Sequence, residues 1–151
     1  MLYFKEAFQF KVLCSHFFVL VMALCQFTPQ LCLAEFSVIV HPTNRSHISA
    51  KDIQRAFLGN LKSFHDGKKI MPIDLPINSN IRQSFNRTFL KKDEQQVKSY
   101  WARRIFTGKG MPPKELNSLT LVKAYIASHK NAIGYIDTAL LDKTVKEIYS
   151  F

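Results

Sequence analysis

FSVIV, Phe36 to Val40, carries no charge and only one hydroxyl in five residues. A continuous apolar run rich in β-branched residues is what a strand buried on both faces requires. A chain containing it must lay cover above and below that strand. Candidate cover follows at helical spacing. Ser49-Ala50-Lys51-Asp52 has the form of a capping box, and Ile53, Phe57 and Leu58 then give one apolar face, with Gly59 as its stop. Ser79 or Asn78 caps a second helix, whose Ile81, Phe85 and Phe89 recur every four residues. Asp93 and Gln96 mark a third start, before Val97, Trp101 and Ile105. Ser118 opens a fourth, carrying Leu119, Val122, Tyr125 and Ile126.

The strands between these helices are short. KIMPIDL is one, with Pro72 pointing to an edge or an irregular start. The turn before it has Asp66-Gly67 at its tip. IGYI, after Asn131-Ala132, is another, and VKEIYSF, Val145 to Phe151, alternates as a last strand should. FTGKGMPPKEL reads as a loop. The order predicts an α/β domain, a mixed or mostly parallel sheet of about four strands flanked by helices.

The first 34 residues do not fit that pattern. Lys5 and Lys11 precede the apolar run FFVLVMALCQF, and Cys32-Leu33-Ala34 closes the segment with small residues. This is the form of a cleaved secretory signal peptide, residues 1–34, with the domain at 35–151. The run is interrupted by polar residues and is shorter than the ~20 residues of a membrane span, so no stable span is expected after cleavage. Cys14, Cys25 and Cys32 all lie before the cut, which leaves the domain without thiol or disulfide chemistry. Export predicts a periplasmic location.

Net charge is +10, nearly all of it after residue 34. A basic balance favours anionic partners, and export removes nucleic acid from among them. Catalysis has no signature here: nucleophile, base and orienting group are not grouped, and no paired carboxylates share a helix. The histidines have no metal-ligand spacing, so neither metal nor cofactor is expected. Gly108-Lys109-Gly110 lacks the rest of a phosphate-binding loop and reads as a turn. Lys98, Arg103 and Arg104 read as a solvated helix face open to a partner protein or anionic lipid.

The stretch INSNIR, Ile77 to Arg82, admits two explanations. Ser79 and Asn80 can cap a helix, and a helix start of this kind can also hold an anion, because its free N–H groups and partial positive charge serve both ends. Arg82 is a surface charge in the first case and a ligand in the second.

Three segments resemble the phosphate-type substrate-binding proteins of ABC transporters: IQRAFLGNLKSFHDGKKIMPID, INSNIRQSF and NAIGYID, in the same order and with similar spacing. The resemblance implies a single lobe of the periplasmic-binding-protein type and a non-catalytic, exported protein that binds phosphate or a similar oxyanion, with an ABC transporter permease or other envelope protein as partner. It places donors at Ser79, Asn80 and Arg82, and further donors at Thr43 and Asn44 in the loop after the first strand. The family's Gly-Thr is Asn80-Ile81 here, and Leu75-Pro76-Ile77 stand where the family often has Arg and an acidic residue. The alternative reading is a module that keeps the lobe and docks a partner protein or anionic surface without a small ligand.

Overall fold

A computed structural model describes residues 36–151. The expected leader and all three cysteines lie outside the described residues. Strand β1 is Phe36–Val40 and helix α1 is Ala50–Phe57. Strand β2, Met71–Asp74, is followed by α2, Asn80–Phe85, which runs on as a π-helical turn over Asn86–Leu90. Then come α3, Glu94–Phe106, β3, Lys114–Glu115, α4, Leu119–Ser128, β4, Ala132–Asp137, a 3-10 turn at Thr138–Leu140, and β5, Lys146–Ser150.

The five strands form one mixed sheet in the order β3-β2-β4-β1-β5. β2 runs parallel to β3 and β4, whereas β1 is antiparallel to both of its neighbours, β4 and β5. The expected four strands become five because Lys114 and Glu115, read as loop, pair with Ile73 and Asp74. Two exposed charged residues carry no strand pattern of their own; the edge of β2 makes them a strand.

Both faces of the sheet are covered, as FSVIV required. All five β1 residues are buried. On one face α4 lies so close to β4 that a Cβ at Gly134 would sit 2.8 Å from Ile126 Cδ1 and 3.0 Å from Val122 Cγ1. The opposite face holds an aromatic core. There Tyr135 stacks on Phe85 with ring centroids 4.2 Å apart, and Phe57 packs on both. Helix α3 packs against the end of α1, where the Tyr100 hydroxyl donates to Leu58 O.

Local signals account for the helix starts. Ser49 with Asp52 and Asp93 with Gln96 form complete capping boxes, and Ser118 caps α4. Gly59 takes φ of +68° just past α1, the left-handed conformation that suits glycine. The stripe expected on α3 runs out early: Val97 and Trp101 are buried, but Ile105 is exposed. The π turn has no sequence signal. It ends at Lys91 in the left-handed region, and it leaves Phe89, Leu90 and Asn86 all facing inward.

Candidate functional site

The candidate site begins where β2 ends. Asp74 is the last residue of the strand, and a turn closed by Ser79 N donating to Pro76 O at 3.0 Å leads to α2. Ser79 caps that helix, its Oγ accepting from Arg82 N at a long 3.4 Å. Asn80 and the preceding Ile77 and Asn78 are exposed. The start of α2 thus lies at the carboxyl end of the parallel pair β2 and β4, where open α/β sheets commonly bind ligands.

Arg82 does not face solvent at this helix start. It is 6 % exposed and turned back beneath the turn. Nη1 donates to Leu75 O and, at 2.6 Å, to Glu115 Oε1. Nη2 lies 3.2 Å from Glu94 Oε1, and Nε 3.6 Å from Asp74 Oδ2. Asp74 Oδ1 accepts from the Tyr135 hydroxyl and from Leu75 N, and Glu94 Oε2 accepts from Asn86 Nδ2 at 2.8 Å. One guanidinium therefore stands among three carboxylates.

The electrostatics follow from burial and from that ratio. Burial pushes the Asp74 carboxyl up from its ordinary value, against the pull of Arg82 and the Tyr135 hydrogen bond. Glu94 is raised for the same first reason, helped by Asp74 and Glu115. Burial disfavours the charge on Arg82, but Asp74, Glu115 and Glu94 outweigh it and hold the guanidinium above its usual value. Burial, with Asp74 beside it, lifts the Tyr135 hydroxyl well above the ordinary phenol range, so it stays a donor. The cluster is rich in acid, and an anion placed beside it meets repulsion that the Arg82 charge is already spent in balancing.

Thr43 and Asn44 lie elsewhere. Val40 pairs with Ile133, which itself pairs with Pro72 near the start of β2. Because β1 runs against β2, its carboxyl end and the loop beyond it sit at the opposite end of the sheet from Ser79, Asn80 and Arg82. The expected convergence of the five donors is not found. Convergence needs the loop after the first strand to open on the same side as the α2 start, which holds only for parallel strands. In that loop the polar groups bond locally: Thr43 Oγ1 lies 2.8 Å from His41 Nδ1, Asn44 N donates to His41 O, and Asn44 Oδ1 accepts from Ser46 N. Lys146 Nζ reaches Asn44 O at 3.2 Å.

Asp74, Glu94, Glu115 and Tyr135 were not foreseen as neighbours of Arg82. One sequence signal pointed there: an acid at the end of an apolar strand needs a partner when buried. The partners lie up to 61 residues away, and no spacing rule reaches that far. Among the described residues, no group of three His, Cys, Asp or Glu is placed to hold a metal ion. No helix there is long and apolar enough to cross a membrane.

No protein-family model matches the sequence, and no curated protein matches it. Solved structures do match in fold. One is a phosphate-bound protein from Clostridium perfringens described as an ABC transporter substrate-binding protein, with a TM-score of 0.61 at 17 % identity, covering 76 % of this chain and 44 % of that one. An ABC-type phosphate transport receptor from Vibrio cholerae gives 0.58 at 16 %, covering 76 % and 45 %. PstS from Borrelia burgdorferi gives 0.57 at 13 %, covering 76 % and 46 %. The fold is that of a periplasmic-binding-protein lobe. The chain spans less than half the length of each of these proteins, and at such identity the likeness is one of fold.

Proposed function

We propose that this chain is a non-catalytic, exported lobe of the binding-protein type that acts by docking a partner protein in the cell envelope. The observation that carries this reading is the position of Arg82. The cation best placed to hold an anion at the α2 start is buried among Asp74, Glu94 and Glu115, so the lobe presents no free charged ligand there. Export rests on residues 1–34 acting as a cleaved leader, and an N-terminus at Glu35 in protein recovered from the envelope tests it.

A second reading keeps the oxyanion. It is favoured by the location of Ser79 and Asn80 at the carboxyl ends of β2 and β4, and by the phosphate-bound protein of the same fold. In that reading backbone N–H groups of the α2 start hold phosphate or a similar anion, and a second lobe closes over it. An ABC transporter permease is then the natural partner.

Calorimetric titration of phosphate, sulfate and nitrate into the full chain at low salt separates the two. The docking reading expects no saturable heat that distinguishes phosphate from the other anions. Saturable phosphate binding that Ser79→Ala abolishes and Arg103→Ala leaves intact replaces it with the second reading.

A further inference from the structure

A groove of about 650 Å³ lies between the end of α1, the outer edge of β2 and the segment 109–114. It is far from the Arg82 cluster in character. Every charged residue lining it is basic: Lys62, Lys69, Arg104, Lys109 and Lys114. Among the described residues, none of the five has a carboxylate within ion-pair distance.

Arg104 is the built part of this surface. Its Nη1 donates to Asn60 Oδ1 at 3.0 Å and to the Tyr100 hydroxyl at 3.1 Å, and its Nη2 to Lys109 O at 2.9 Å and Gly59 O at 3.3 Å. The guanidinium lies over the rings of Tyr100 and Trp101, 5.5 and 5.6 Å from their centroids. All its acceptors are neutral, so the side chain is fixed while its charge stays uncompensated. Its buried Nε has no hydrogen-bond partner.

The apolar part of the groove is recessed. Trp101 is 7 % exposed, while Met111 stands 73 % exposed on the opposite lip. β3 pairs only with Ile73 and Asp74, so the outer side of Met71 and Pro72 is left open to the groove. Pro72 has no N–H to offer there, which disfavours an added β-strand. Recognition at this edge must therefore come from side chains. A concave apolar floor under a cationic rim fits a chain segment with one apolar anchor and several carboxylates, and fits a flat bilayer poorly.

We propose that this groove docks an acidic segment of a partner protein, with an apolar side chain seated against Trp101 and Met111 and its carboxylates facing Arg104, Lys109 and Lys114. The proposal rests on the docking reading above and deepens it by naming a surface and a partner chemistry.

Trp101 is the sole tryptophan of the chain, so its emission reports on the groove directly. The probe is the capped hexapeptide Glu-Glu-Leu-Phe-Glu-Glu, titrated into the full chain at low salt. A saturable change in emission is expected, at least about tenfold weaker for Lys109→Glu/Lys114→Glu and abolished when the four glutamates of the peptide are replaced by glutamine. Both lysines are exposed, so this variant should fold normally. The control Lys130→Glu/Lys143→Glu makes the same change in net charge outside the groove.

Equal weakening by the control overturns the proposal, because net charge alone would then be at work. So does undiminished binding of the glutamine peptide, or displacement by inorganic phosphate at matched ionic strength. A Trp101 response to phosphatidylglycerol vesicles but not to the peptide assigns the surface to a membrane and overturns it too. Phosphate binding lost in Ser79→Ala would remove the docking reading without touching this assay, so the two failures are distinguishable.

Discussion

Arg82 and Arg104 are two arginines pinned by hydrogen bonds in the same domain, one buried and one half-buried, and their surroundings treat them in opposite ways. Arg82 has three carboxylates for one charge, and its position completes the end of β2. Arg104 has four neutral acceptors and no carboxylate. The first arrangement consumes charge inside the molecule. The second fixes a geometry and leaves the charge outward. A cation at a helix start is thus no evidence of ligand binding until its internal partners are counted.

The comparison breaks most sharply under truncation. Arg82→Met strands Asp74, Glu94 and Glu115 around an apolar side chain and should cost about 3–5 kcal/mol in denaturant unfolding. Arg104→Met strands only neutral oxygens, three carbonyl or amide and the Tyr100 hydroxyl, and should cost less than half as much. Equal losses would mean that the two sites are balanced alike. Tyr135→Phe comes next. It removes the hydroxyl donor from buried Asp74, a loss of about 1–3 kcal/mol by the same measurement.

A smaller effect is a slope with pH. Burial raises Asp74 and Glu94 above their ordinary values of 3.8 and 4.5, so just above those values the folded state holds more protons than the unfolded one. Stability should fall as pH rises through that window, and Glu94→Gln should flatten the fall in a series of thermal melts. Asp142 works in the other sense. The Lys123 and Thr144 hydrogen bonds hold its pKa at about 2, so what it contributes is present above pH 3.8 and fades as pH drops towards 2. The smallest effect is at Ser79. Its cap bond to Arg82 N is long, at 3.4 Å, and Ser79→Ala should cost no more than about 1 kcal/mol. A larger loss would show that Ser79 supports the charged cluster and does more than cap.

How far the sequence led can be read from these same residues. Helix starts were legible because a capping box is a contact across three residues: Ser49 with Asp52, Asp93 with Gln96. The burial of β1 was legible because a strand covered on both faces writes an unbroken apolar run. Strand direction was not legible. Nothing within FSVIV tells that β1 runs against β2, and that reversal is what separates Thr43 and Asn44 from Ser79. Nor was the role of Arg82 or Arg104 visible. Arg82 reads from the sequence as a surface charge or a ligand, and Arg104 as part of a solvated helix face open to a partner; what sets them apart is Glu115 and Asp74 in one case and Asn60 and Gly59 in the other, all brought in by tertiary packing.

Phe36 and Phe151 exchange both of their backbone hydrogen bonds, at 3.1 and 2.8 Å, and their rings pack 5.6 Å apart. The two limits of the described unit therefore meet at one point, on neighbouring antiparallel strands. A domain closed in this way is a cassette: it can be threaded into a surface loop of another protein through two adjacent crossings, or recircularised and reopened at the Asp66–Gly67 turn, without unpicking its sheet.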